Sequence, residues 1–327
     1  MNTKIVVMVL AILAPTFVYE AEAQQVKKIP RIGVLFPGSL ATFTPRTEAF
    51  LQGLRELGYV EEKTITIEWR WAEDRVERIP ELAAELVRLK VDIIVTNGTP
   101  AIQALKSATR TIPILMATVG DPVATGLVES LARPGGNITG FSAIAPSLGQ
   151  KRLELLTEVV PNASRVAAML NPTNPTYRPE LQETQDAART LGVQIQTIEV
   201  SDSNTLQEGF AAMTRDRARA LVVFTDAIFY SMRGRIVEHA AKSRLPTMYW
   251  QREFVDDGGL MSYGPNTNDL FRRSALYVDK LLKGTKPADL PIEQPTKFEF
   301  IINLKAAKQI GLTIPPNVLA RADKVIK

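Results

Sequence analysis

The chain has 327 residues, of which 45% are apolar and 23% are charged, so it has enough apolar material for the cores of two domains. It contains no cysteine and one histidine, His239, which excludes a disulfide scaffold, a thiol nucleophile and a multi-histidine zinc site. The formal net charge of +4 is scattered along the chain without a block of like charge, so we expect no nucleic-acid partner.

The first residues have the pattern of an export signal. Lys4 precedes a short apolar stretch that contains a proline, and Ala21-Glu22-Ala23 matches the small-x-small pattern of a cleavage site. We therefore expect residues 1–23 to be a signal peptide that is cleaved near Ala23, which leaves an exported, periplasmic protein. An uncleaved anchor or a buried first strand is the alternative for this segment.

Short apolar runs alternate with amphipathic helical patterns through the first half of the mature chain. Between the first two runs, Thr44 and Pro45 are expected to begin a helix that ends at Gly58. After the third run, Thr99 is the expected N-cap of another helix. This order predicts a parallel sheet with helices on both faces. The predicted strands cover residues 31–38, 64–71, 91–98 and 112–119.

The same alternation restarts after residue 147 and predicts a second α/β unit. The tail adds a short strand, a helix ending at Gly284, a proline-rich linker and a last strand and helix, which are too few for a third core. The sequence therefore predicts an α/β fold of two doubly wound parallel-sheet lobes, to which parts of the tail return. The strands of the second unit are expected at 165–172, 193–200, 220–227 and 246–251.

The chain is expected to cross between the two lobes about three times, which would make a multi-strand hinge. The crossings are predicted near residues 138–147, 252–262 and 284–296. Lobe 1 is predicted to comprise residues 30–140 and 258–285, and lobe 2 residues 141–257 and 286–327.

Open α/β sheets bind ligands outside the carboxyl ends of their strands, so the residues that follow the predicted strands are candidates for a binding site. A ligand carboxylate is expected at the amides of Gly98 and Thr99, where a helix begins. A ligand amine would meet Asp226 or Asp121. The candidate ligand-binding residues are Phe36, Ser39, Asn97, Gly98, Thr99, Asp121, Asn171, Asn174, Asp226, Tyr249, Trp250 and Tyr263.

The candidate aromatic residues near the strand ends would enclose a flat apolar group of the ligand. Because neighbouring residues of a strand point to opposite faces, only one of Tyr249 and Trp250 is expected to face the cleft. The alternative is that these aromatic residues belong to the core. For the turn at Gly98 and Thr99, the alternative is plain helix capping without a ligand.

The sequence lacks the usual catalytic and cofactor-binding motifs. It has no phosphate-binding loop, no dinucleotide-binding glycine pattern and no G-x-S-x-G elbow. Asp256 and Asp257 are adjacent, which does not make a ready acid–base pair. We therefore expect a protein that is not an enzyme and that has no cofactor and no metal. A hydrolase that uses Asp121 or Asp226 is the alternative.

Four long stretches resemble the ABC-transporter substrate-binding proteins of the tryptophan/tyrosine-binding kind, and the resemblance extends from about Ile32 to Ile326. It implies the type I periplasmic-binding fold and a receptor that delivers a small molecule to the membrane permease of an ABC transporter. With the candidate aromatic residues, it favours an aromatic amino acid or a related acid as ligand. We expect a monomer. A periplasmic partner of a signalling system is the alternative function. The stretches are GDPVATGLVESLARPGGNITGFS, KRLELLTEVVP, REFVDDGGLMSYGPN and PADLPIEQPTKFEFIINLKAAKQIGLTIPP.

Overall fold

The computed structural model describes residues 28–143 and 145–327, so the predicted signal peptide at residues 1–23 lies outside the described residues. The strands form two sheets, and helices cover both faces of each sheet. This arrangement confirms the predicted α/β architecture of two lobes. No helix within the described ranges is both long and apolar enough to cross a membrane.

The first sheet has five parallel strands in the order β2-β1-β3-β4-β5. Its strands are β1 (Arg31–Phe36), β2 (Thr66–Trp71), β3 (Ile93–Asn97), β4 (Ile114–Val119) and β5 (Ile138–Ser142). Helices α1 (Leu40–Glu56), α2 (Ile79–Arg88) and α3 (Thr99–Ala108) follow the first three strands. All residues of β3, β4 and β5 are buried, which is typical of parallel strands covered on both faces.

Helix α1 begins earlier than predicted. Ser39 is the N-cap, because its hydroxyl accepts a hydrogen bond from the Thr42 amide while the Thr42 hydroxyl accepts one from the Ser39 amide. The predicted cap, Thr44, lies inside the helix and donates its hydroxyl proton to the Leu40 carbonyl oxygen. Pro45 is also inside the helix. The prediction of a start at Thr44 was wrong because the reciprocal Ser39–Thr42 contacts cap the chain five residues sooner.

The second sheet has seven strands in the order β12-β11-β10-β9-β8-β6-β7. It is not wholly parallel, because β11 runs antiparallel to β10. Its strands are β6 (Arg165–Leu170), β7 (Gln194–Glu199), β8 (Ala220–Val223), β9 (Thr247–Tyr249), β10 (Met261–Pro265), β11 (Phe298–Asn303) and β12 (Lys324–Ile326).

Nine helices of the described chain belong to its second half. They are α4 (Ala145–Val159), α5 (Tyr177–Leu191), α6 (Ser203–Arg215), α7 (Ala227–Ser231), α8 (Arg233–Lys242), α9 (Arg252–Asp256), α10 (Thr267–Leu282), α11 (Leu304–Gln309) and α12 (Pro316–Leu319). Helix α10 is the exception in its packing, because it lies against α1 and β4 of the first lobe. The other eight belong to the second lobe.

The predicted lobe boundaries need two corrections. Strand β10 was assigned to lobe 1 within 258–285, but it pairs with β9 and β11 in the second sheet. The segment after residue 286 was assigned to lobe 2, but the amides of Ile292 and Glu293 donate to first-lobe carbonyl oxygens. The second crossing therefore lies between β10 and α10, not at 252–262. These pairings join residues far apart in sequence, which local patterns do not reveal.

The close contact between α1 and α10 makes a test of the first lobe's packing. Gly53 of α1 has no room for a side chain, because an added Cβ would lie 2.1 Å from the Arg272 carbonyl oxygen. We expect Gly53→Ala to lower the free energy of unfolding by about 1–3 kcal/mol through this overlap. Urea unfolding measures the change. Gly234→Ala is the matched control, because Gly234 is also helical and has open space around it.

Equal stability of Gly53→Ala and Gly234→Ala would contradict the packing of α1 on α10.

Candidate ligand-binding site between the two sheets

A cavity lies between the carboxyl ends of the two sheets and is lined by residues of both lobes. Counting the space at its open mouth, its volume is ≈ 560 Å³. Half of the predicted site residues line it: Asn97, Gly98, Thr99, Asn174, Asp226 and Trp250. Asn171 lies directly behind, where its amide contacts the Asp226 carboxylate.

The other five predicted site residues are placed elsewhere. Phe36 is buried among the rings of Phe43 and Phe271 in the first lobe, and Ser39 caps α1. The Asp121 carboxylate accepts hydrogen bonds from two amides of its own turn. Tyr249 is fully buried and stacks on Phe254. Tyr263 packs against the rings of Phe298 and Phe300. None of the five is among the residues that line this cavity.

The start of α3 differs from the prediction in two ways. Gly98, with φ of 80°, is the N-cap, and Thr99 is already the first helical residue. The amide of Gly98 donates to the Thr118 carbonyl oxygen at 3.1 Å, so it is not available to a ligand carboxylate as predicted. The Thr99 hydroxyl lies 2.7 Å from the Thr176 hydroxyl, which belongs to the second lobe. Thr99 thus connects the two lobes at the cavity.

Asp226 caps the short helix α7, and four donors occupy its carboxylate. One oxygen accepts the amides of Ile228 and Phe229 at 2.7 and 3.3 Å. The other oxygen accepts the side-chain amides of Asn174 and Asn171 at 2.8 and 3.2 Å. A carboxylate has about four lone-pair sites, so all of them are filled. Burial raises the pKa of Asp226, while these four donors oppose the rise.

The orientation of the two asparagines is fixed by their other contacts. The Asn171 side-chain oxygen accepts the amide and the hydroxyl of Thr173, and the Asn174 side-chain oxygen accepts the Thr176 amide. Both NH₂ groups therefore point to Asp226. This arrangement gives Asp226 a structural role and leaves no lone pair for the ligand amine that the sequence suggested.

A buried ion pair supports the cavity from the second lobe. Arg152, which lines the cavity, contacts Glu180 at 3.0 Å, and the two side chains are 1% and 0% exposed. Arg152 also donates to the Tyr263 carbonyl oxygen, and Glu180 accepts the Thr225 amide. Burial lowers the pKa of Arg152 and raises that of Glu180, while the attraction between the two opposes both shifts. The charged form of each side chain is therefore stabilised by the opposite charge of the other.

Arg46 is the cavity residue that sequence reasoning missed most clearly. Its guanidinium lies 3.5 Å from the centre of the Tyr230 ring and donates to the Gln251 side-chain oxygen. The residue is only 2% exposed. A signal was present, because Arg46 follows Phe43 by three residues and precedes Phe50 by four, so it lies on the buried stripe of α1.

Several buried polar atoms of cavity residues have no hydrogen-bond partner among the described residues. They are the Arg46 Nε, the Asn97 Oδ1, the Thr225 Oγ1 and the Tyr230 hydroxyl oxygen. Buried polar groups are almost always hydrogen-bonded, so unpartnered ones indicate a place for a bound molecule or water. In the described part of the chain, no group of three or more His, Cys, Asp or Glu side chains is placed to hold a metal ion.

The Arg152–Glu180 pair gives a test of this site's architecture. We expect Glu180→Gln to lower the free energy of unfolding by about 3–5 kcal/mol, because it leaves Arg152 buried without a counter-ion. Urea unfolding measures the loss. The double variant Arg152→Met/Glu180→Leu should recover most of it, because no buried charge remains.

Asp186→Asn serves as control, because it removes an exposed ion pair with Arg189 and should change stability little. A double variant as unstable as Glu180→Gln would show that the loss comes from altered packing and not from an uncompensated charge.

The sequence matches a family model that describes ABC transporter substrate binding proteins, and the match covers residues 32–326. A tyrosine-binding protein from Clostridioides difficile (strain R20291) is 26% identical over 286 residues, which are 88% of this chain and 82% of that protein. These two findings confirm the resemblance that the four sequence stretches indicated.

Solved structures similar to this chain also include substrate-binding proteins. The ABC domain in complex with L-Trp from Streptococcus pneumoniae has a TM-score of 0.83 and 30% identity, covering 90% of this chain and 100% of that one. The ligand-free, open structure of a substrate binding protein with adhesive properties from Clostridium difficile has a TM-score of 0.65 and 25% identity, covering 91% and 99%. The family and these relatives are substrate-binding proteins and not enzymes.

Proposed function

Because the chain belongs to the ABC transporter substrate-binding protein family, we propose that it captures a small carboxylate-bearing molecule and delivers it to the membrane permease of an ABC importer. One observation carries the proposal. A cavity lies between the carboxyl ends of two sheets, and four of its lining residues, from both lobes, have a buried polar atom without a hydrogen-bond partner among the described residues. A bound small molecule would supply those partners.

The ligand class we propose is an aromatic amino acid or a related aromatic acid. Two relatives support it, because one is named as tyrosine-binding and the other was solved with L-Trp. Trp250 and Tyr230 are among the residues that line the cavity, and aromatic residues in a lining favour a flat apolar group.

Calorimetry with tryptophan, tyrosine, phenylalanine and simple aromatic acids tests this class. We expect Trp250→Ala to weaken the binding of the tightest aromatic ligand roughly tenfold, because a stacked ring is lost. Tyr249→Phe is the control, because Tyr249 does not line the cavity. If leucine or a sugar binds and no aromatic compound binds at millimolar concentration, the ligand class is wrong while the receptor function stands.

We further propose that the lobes close on the ligand by bending at the crossings between them. Contacts across the cleft, such as the Thr99–Thr176 hydrogen bond and the edge-to-face contact of Phe43 with Tyr230, support a closed conformation here. The higher TM-score with the L-Trp complex than with the open, ligand-free structure points the same way.

Gly120 gives a test of closure. A Cβ added at Gly120 would lie 2.4 Å from the Thr176 Cγ2 across the cleft. We expect Gly120→Ala to weaken ligand binding and to reduce the ligand-induced decrease in radius of gyration, because the methyl group keeps the lobes apart. Adding Thr176→Ser removes the opposing methyl group, keeps the hydroxyl and should restore both properties.

Small-angle scattering and calorimetry measure the two effects. A double variant as defective as Gly120→Ala, or a wild-type radius of gyration that ligand does not change, would contradict closure by this path.

We also propose that the mature protein acts outside the cytoplasmic membrane as a monomer, after cleavage near Ala23. The export pattern of residues 1–23 supports this location. The intact mass of the exported protein, together with its molar mass by light scattering, checks both statements.

A further inference from the structure

The charge of Arg46 is not compensated by the protein. No carboxylate of the described residues lies within 4.0 Å of its guanidinium, although the residue is only 2% exposed. Its contacts are neutral: the Tyr230 ring, the Phe43 ring and the Gln251 side-chain amide. The Arg46 Nε has no partner and belongs to a residue that lines the cavity. A buried cation without a counter-ion is costly, so a bound anion would stabilise it.

The carboxylates around the cavity are already occupied. The four lone-pair sites of Asp226 are filled by two backbone amides and two asparagine side chains. Glu180 is held by Arg152 and by the Thr225 amide. Asp121 accepts two amides of its own turn and does not line the cavity. Among the described residues, the cavity thus offers a free positive charge and no free negative one.

We infer that the site selects aromatic carboxylates that carry no ammonium group, with Arg46 as the residue that binds the carboxylate. The inference rests on the proposed function, because it specifies the ligand class of the same cavity. An amino acid would bring its ammonium group into a cavity that has no unoccupied acid to receive it. An aromatic acid brings a carboxylate to Arg46, which has no carboxylate partner, and a ring to a cavity whose lining includes Trp250 and Tyr230.

A second role for Arg46 must be distinguished, because its contacts with Gln251 and Tyr230 cross the cleft. A residue that only holds the lobes together would affect every ligand equally. A residue that binds a carboxylate affects charged ligands and spares their neutral analogues. The decisive quantity is therefore the ratio of the affinity for a carboxylate ligand to the affinity for its neutral analogue, and not either affinity alone.

Calorimetry with indole-3-acetate, indole-3-acetamide, tryptamine and L-tryptophan on ligand-free protein measures this ratio. We expect the wild type to bind indole-3-acetate about 10–100-fold more tightly than the neutral amide, as the loss of one charge-assisted hydrogen bond implies. It should also bind indole-3-acetate more tightly than tryptophan, and tryptamine least. Arg46→Gln should abolish the preference for the acetate over the amide, and Arg46→Lys should keep part of it.

Arg233→Gln is the matched control. Arg233 also lies against the Tyr230 ring, at 4.7 Å, but it pairs with Asp257 and does not line the cavity. Its replacement should leave the acetate-to-amide ratio unchanged. Thermal unfolding adds a second readout: ligand-free Arg46→Met should be at least as stable as the wild type, while its stabilisation by indole-3-acetate should be lost.

The outcomes separate this inference from the proposed function. If tryptophan binds the wild type more tightly than indole-3-acetate, the ammonium-free class is overturned while an aromatic receptor remains. If Arg46→Gln weakens acetate and amide equally, the role of Arg46 in binding the carboxylate is overturned. If none of the four compounds binds and a non-aromatic solute does, both the inference and the proposed aromatic class fail.

Discussion

Polar groups that are buried between the two sheets need partners, and this requirement separates the structural residues of the cleft from those that face a ligand. Asp226 and Arg152 satisfy it within the second lobe, through the α7 cap and the Glu180 ion pair. Arg46 and Asn97 of the first lobe do not. These residues line the cavity, where a bound molecule or water would supply the missing partners.

The need of buried polar groups for hydrogen-bond partners also produces contacts between the two lobes. Thr99 and Thr176 share a hydrogen bond across the cleft, and Arg46 donates one across it to the Gln251 side-chain oxygen. Around them, one apolar cluster continues from Phe43 of the first lobe to Tyr230 of the second. Opening the cleft would expose these groups to water. Under the proposed closure, a ligand that satisfies the atoms that remain unpartnered would favour the closed arrangement further.

The sequence predicted the parts of this structure that depend on local periodicity. Buried strands such as β3 and β4 follow from continuous apolar runs, and the carboxyl ends of the strands correctly located the cleft. Long-range pairing was not predictable in the same way, which is why β10 was assigned to the wrong lobe. Its five residues carry no pattern that distinguishes the two possible sheets.

Site residues on helices were the main omission. Arg46, Arg152 and Tyr230 belong to α1, α4 and α7, so a search restricted to strand ends passes over them. The periodicity of α1 does place Arg46 on the buried stripe with Phe43 and Phe50, and a basic residue at such a position should be read as a candidate site residue. For aromatic residues the error was the opposite one, because residues that do not line the cavity were predicted to bind the ligand. Burial in the core is the commoner role of aromatic residues, and Phe36 and Tyr249 have that role.

Residue type at a strand end is therefore a weak guide to ligand chemistry. Asp226 has the position and the charge expected of an amine-binding residue, yet the asparagines and the α7 amides fill its lone pairs. Arg46, inconspicuous in sequence, has an Nε without a hydrogen-bond partner and forms no ion pair with a carboxylate of the described residues. The cleft itself follows from the strand order, because the carboxyl ends of both sheets face it. The carboxylate ligand that we infer rests instead on the charge that the described residues leave without a counter-ion in the cleft, which is the positive charge of Arg46.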